Sequence, residues 1–140
     1  MNCKYSEIPF CDESTVSRFI NDRRHLKKDD IIKITPNAFI YPKENKTLSL
    51  VHINNLTESE IWDISDTKIF KNVRLSSREK FKTVARADMN VGKLKSLQID
   101  GFDIKRDDTE FERHVTAISN MEKQVFAVKL SLNCEAKMRY

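Results

Sequence analysis

The clearest hydrophobic pattern begins after Thr47. Leu48-Ser49-Leu50-Val51-His52-Ile53 is aliphatic and β-branched with only loose alternation, which predicts a strand buried on one face and partly on the other. Asn54-Asn55 turns the chain. Leu56-Thr57-Glu58-Ser59-Glu60-Ile61-Trp62 then opens a helix: Thr57 is the N-cap, Glu60 reaches back to complete a capping box, and Leu56 packs on Ile61 as a hydrophobic staple. Upstream, residues 11–20 predict a short helix or strand with Phe19 and Ile20 facing inward. Residues 31–35 predict a strand closed by Pro36-Asn37. A second apolar segment, residues 38–41, is stopped by Pro42, and residues 42–46 form a hairpin-like turn into the 48–53 strand.

Downstream, residues 65–72 carry no decisive period, and 75–80 are polar enough for a loop or helix end. Residues 82–87 alternate and predict a strand, after which Asp88 caps a short helix carrying Met89, Leu94 and Leu97. The chain turns at Gly101 and resumes as a strand through Phe102 and Ile104, with residues 106–110 as a solvated loop. Residues 111–118 alternate again, setting Arg113, Val115 and Ala117 on one side and His114, Thr116 and Ile118 on the other. The last segment predicts a helix from Asn120. Met121, Val125, Val128 and Leu132 form its inner stripe, Phe126, Leu130 and Cys134 widen it, and Lys123, Lys129, Lys137 and Arg139 face water. Together these elements predict an α+β fold, a mainly antiparallel four- or five-stranded sheet covered by two or three helices. Residues 1–17 are a tail or short lead-in and 18–140 a single domain.

Composition changes this picture little. With 140 residues, 39% hydrophobic and 33% charged, the chain supports one lean core. No run has the apolar length of a membrane span and no signal-peptide-like core follows Met1, so the expectation is a cytoplasmic protein without membrane contact. The net charge of +4 suits RNA, DNA or a nucleotide, but 25 Lys and Arg against 21 Asp and Glu is no polycationic coat. Cys3, Cys11 and Cys134 lack C-x-x-C or Cys/His spacing, which reads as free thiols and no metal. Gly-rich phosphate loops, G-x-S-x-G and H-E-x-x-H are missing, which argues against nucleotide-cofactor enzymes; no cofactor is expected.

Candidate chemistry rests on a dispersed polar set: Arg18, His25, His52, Arg86, Asp88 and His114. Histidine moves protons near neutrality and arginine steadies the extra charge of a phosphorane-like transition state, so His25, His114 and Arg86 are the candidate catalytic residues for metal-free phosphoryl chemistry. Arg18, Arg24, Lys27 and His52 are the candidate phosphate ligands. The charged run of residues 21–30 is either a solvated loop or, with Arg18, Arg23, Arg24, His25, Lys27 and Lys28, a cationic edge that grips phosphates. The plainer alternatives are a His52 satisfied within a sheet and an Arg86–Asp88 cap and surface pair. His114-Val115-Thr116 matches the H-x-T element of cyclic phosphodiesterases in a single copy. Trp62, Phe39, Phe102 and Phe126 offer rings for base stacking, with core packing as the commoner fate.

Several segments, taken in order, resemble a family of small uncharacterised bacterial proteins. They are Arg18-Phe19-Ile20, Arg24-His25, Lys33 with Asn37-Ala38-Phe39, Leu48-Ser49-Leu50-Val51, Leu56 to Trp62, Arg86-Ala87-Asp88 and Arg113-His114. The chain departs from that pattern at His52, which replaces an arginine, and after His114, where a Trp-Pro pair is missing. The resemblance implies a bacterial, cytosolic, single-domain protein and carries no activity. The expectation is therefore a small protein handling nucleic acid or a nucleotide-like phosphate ligand, of toxin-like or phage-defence type. The alternative is a non-catalytic interaction module whose basic edge docks on a partner protein.

Overall fold

The computed structural model describes residues 4–6, 10–28, 31–40, 47–69 and 83–139, and among these residues it has eight strands, three α-helices and three shorter helical turns. In chain order the strands are β1 (Thr15–Ile20), β2 (Leu26–Lys28), β3 (Ile32–Ile34), β4 (Leu48–His52), β5 (Ala85–Asn90), β6 (Asp103–Arg106), β7 (His114–Ile118) and β8 (Glu135–Met138). The helices are α1 (Glu58–Ile64), α2 (Val91–Ser96) and α3 (Lys123–Leu132). Six strands form one antiparallel sheet in the order β6-β7-β4-β1-β5-β8, and β2 and β3 form a separate ribbon. The fold is α+β as the pattern predicts, with six strands in the main sheet rather than four or five.

Both faces of that sheet are covered, which explains why its strands alternate so weakly. On one face Val16, Ile20, Leu48, Leu50, Ala85, Ala87, Val115 and Ala117 pack with Leu94, Phe126, Ala127, Leu130 and Phe39 in the larger core. On the other, Phe19 and Val51 join Ile53, Ile61 and Phe111, with Leu56, Trp62, Ile64 and Ile69 against them. Phe19 and Ile20 are thus both buried, on opposite faces. α1 begins as predicted. The Thr57 hydroxyl accepts from the Glu60 amide at 3.2 Å, and Glu60 Oε1 accepts from the Thr57 amide at 3.0 Å.

Five local expectations are corrected. Ala38 and Phe39 lie in a 3-10 turn, Pro36–Phe39, because the proline occupies its first position and presets helical φ; residues 42–46 and 70–82 lie outside the described residues. Asp88 does not cap α2: β5 runs on to Asn90, whose side chain accepts from the Lys93 amide. The C-terminal helix ends at Leu132, and Glu135–Met138 returns as β8 along β5. Its inner residues are Phe126, Ala127 and Leu130, while Val125 and Leu132 are 44% and 76% exposed. Of the cysteines, Cys134 is a free thiol but Cys11 is disulfide-bonded. No helix among the described residues is long and apolar enough to cross a membrane.

Candidate functional site

β1 follows β5 along its whole length, from Thr15 opposite Asn90 to Ile20 opposite Ala85, but pairs with β4 only at Val16–His52 and Ser17–Val51. Beyond Ser17 the two strands part, and a wedge-shaped cavity of about 200 Å³ opens between them. Arg18 spans the fork. Its Nε donates to the Ala38 carbonyl of the Pro36–Phe39 turn at 3.0 Å and its Nη1 to the Ser49 carbonyl of β4 at 3.0 Å, so one side chain bridges the turn and the strand. Nη2 makes no hydrogen bond to a described residue, and no described carboxylate pairs with the guanidinium. Burial pushes Arg18 below its usual value without a compensating negative charge.

Ser17, Asn21, His25 and Asn37 also line the fork. Ser17 is fully buried and its Oγ has no partner, and the side chains of Asn21, His25 and Asn37 make no hydrogen bond to a described residue. A 3-10 turn, Arg23–His25, carries His25 to the cavity: Asp22 caps it by accepting from the Arg24 amide, and the His25 carbonyl accepts from the Thr35 amide at 2.8 Å. Phe19, Ile40, Val51 and Ile69 supply the apolar wall. Ser17 points to the opposite sheet face, but Arg18, Asn21, His25 and Asn37 bring spare polar groups to one recess with no described carboxylate among its lining, an arrangement complementary to an anion.

The sequence-derived set divides among separate places. Arg18 and His25 meet in the fork. Arg24 is consumed by Asp22 at 2.8 Å on the outside, and Lys27 lies on the β2–β3 ribbon directly opposite Lys33. Arg86 lies on the sheet face opposite Arg18 and is fully engaged. Its Nη1 and Nη2 hold both Glu58 oxygens at 2.7 and 2.9 Å, its Nε holds Asp88 at 2.9 Å, and its Cζ lies 4.8 Å from the Trp62 ring centre. The bidentate Glu58 contact raises its pKa, the reverse of Arg18.

His114 shares the face of Arg86 but not its neighbourhood. The row His114–Val51–Ser17–Asp88 crosses three strand spacings, roughly 14 Å. Its Nδ1 bonds the Asp107 carbonyl at 2.9 Å, its ring packs on Phe111 at 5.0 Å, and its buried Nε2 is unpartnered. His52 is held between Tyr5 and Phe10, with ring centres 5.5 and 5.1 Å away. It is wholly buried, and neither ring nitrogen has a partner among the described residues.

Ser17, Asn21 and Asn37 are site residues that the pattern does not single out. The local signals are a serine beside Arg18 in the run Val16–Ile20 and an asparagine after Pro36, which reads as an ordinary turn. Among the described residues no group of three or more His, Cys, Asp or Glu could hold a metal ion. No protein-family model, curated protein or solved structure matches the chain.

Proposed function

We propose that this chain, of the small bacterial kind its segments resemble, binds a phosphate-bearing ligand, a nucleotide or a nucleic acid, in the fork between β1 and β4. One observation carries the reading: a half-buried guanidinium without a described carboxylate partner lines a cavity whose Asn21, His25 and Asn37 side chains make no hydrogen bond to a described residue. A positive charge with spare polar groups beside it and no described carboxylate favours an anion as the occupant. The cationic ribbon beside the fork, with Lys27 facing Lys33, extends positive charge outward from it. The described lining offers one imidazole and no carboxylate, so it supplies no acid–base pair; binding is favoured over turnover.

A docking module is the second reading, favoured by the outward apolar positions Val125, Val128 and Leu132 on α3. Titration of labelled single-stranded RNA and DNA and of nucleotides at low salt separates the two. Binding that falls steeply with salt and is lost in Arg18→Ala supports the fork. Absence of binding to every phosphate-bearing probe at low salt removes it.

A further inference from the structure

Independently of the fork, we infer that the outward side of α3 is where a second copy of this chain docks, its helix running antiparallel to the first about a two-fold axis. The helix is apolar on two sides. Phe126, Ala127 and Leu130 face the larger core, whereas Val125, Val128 and Leu132 are 44%, 43% and 76% exposed. At 3.6 residues per turn the exposed three lie across the helix from the buried three. They follow one another by three and then four residues, the seam spacing by which one helix packs along another, unlike apolar positions scattered singly over a surface.

The charges beside the stripe select the occupant. Glu122 and Lys129 stand two turns apart on one flank of it, about 10 Å along the axis. Neither side chain makes a hydrogen bond or ion pair with a described residue. A two-fold axis across the helix sets like flank against like flank and reverses their order. With that axis between Val125 and Val128, these two meet Val128 and Val125 of the second copy, and each Leu132 covers the start of the other helix. Each Glu122 then comes opposite the other copy's Lys129. The surface is thus complementary to its own reverse, in apolar centre and ionic margin together. A uniformly acidic or basic partner would leave one of the two charges opposed, whereas a second copy satisfies both. One helix of 10 residues is a small contact beside the about 800 Å² per partner of a standard interface, so the dimer should be weak, with a dissociation constant of about 10 to 100 μM.

Sedimentation equilibrium of the full chain, over a dilution series from about 1 μM to about 1 mM, tests this. The mass is expected to rise from monomer to dimer and stop there, because a two-fold contact closes on itself. Leu132→Gln, at a side chain already in water, should weaken association at least about tenfold and leave the melting temperature of the dilute monomer unchanged. Glu122→Lys and Lys129→Glu should each weaken it about tenfold by setting like charges together at both margins. An equimolar mixture of these two variants should regain wild-type association, since each copy then meets opposite charges at both margins. A charge effect confined to the end of one helix is not rescued by mixing, so recovery separates a contact between copies from a structural role. A wild type that stays monomeric throughout the series overturns the proposal, as does association that persists in Leu132→Gln or is not regained on mixing. None of these measurements reads phosphate binding, so failure here leaves the fork reading untouched.

Discussion

At the scale of single residues, histidines of similar appearance in the sequence reach different ends. His25 follows a charged run and lines the fork. His52 sits in a strand, where its register opposite Val16 sends the ring into the larger core between Tyr5 and Phe10. Burial first, and the nearby Arg113 charge second, lower its pKa from 6.5 to about 4. Arg113 donates to the His52 carbonyl at 3.2 Å, so the imidazole has a cation on the strand side and rings on the other. The folded chain keeps this imidazole neutral while the unfolded chain protonates it near pH 6.5. Stability from this group is therefore level above pH 6.5, falls as pH drops towards 4, and levels off below. The loss should approach about 3 kcal/mol at 1.36 kcal/mol per pH unit. Thermal melts from pH 7 to pH 4 are expected to show this fall in the wild type and not in His52→Leu; parallel curves would refute it. Arg18 shows the limit of reading such residues from type alone. Its chemistry is visible in the sequence, but that no described carboxylate lies beside it is a property of the folded neighbourhood.

At the scale of elements, the Arg86 cluster fastens the first turn of α1 to the sheet. Glu58, at the start of that helix, and Asp88, across β5, meet on one guanidinium that Trp62 covers, and Arg139 lies 5.6 Å from the same indole. Removing the buried partner leaves Asp88, 11% exposed, without its cation. Arg86→Ala is therefore expected to cost about 3 kcal/mol in denaturant unfolding. Glu58→Gln, at a side chain 69% exposed, should cost within about 1 kcal/mol. Equal small effects would show that the cluster is incidental. The elements legible in the sequence were those whose signals are local, above all residues 48–62, where strand, turn, cap and staple agree within a few positions. α3 was legible as a helix but not in its orientation. Val125, Val128 and Leu132 repeat at helical spacing as convincingly as Phe126 and Leu130, and only docking against the Pro36–Phe39 turn and the sheet selects the latter pair. β8 was hidden because Glu135-Ala136-Lys137-Met138 has strong helix formers that gain strand structure solely from pairing with β5.

At the scale of the whole molecule, what matters for binding is where the charges stand, more than their sum. Many carboxylates are tied to cations away from the fork: Glu58 and Asp88 to Arg86, Asp108 to Arg106, Asp66 to Arg139, and Glu135 to Lys137. The corner formed by the Arg23–His25 turn and the β2–β3 ribbon carries Arg23, Lys28 and the facing Lys27 and Lys33, while the nearby Asp22 is engaged by Arg24. None of this geometry follows from the modest overall charge of +4, which is why the sequence offers the cationic edge only as one of two readings. If phosphates of a bound strand rest on that ribbon, a plot of log affinity against log salt for an oligonucleotide should lose about one unit of slope in Lys33→Ala. Lys137→Ala, which removes the same charge from a pair with Glu135 on the edge strand β8, should leave the slope unchanged. Equal slope losses in the two variants would mean that the protein senses phosphate through its net charge alone, and the ribbon would then have no part in guiding a strand towards the cavity.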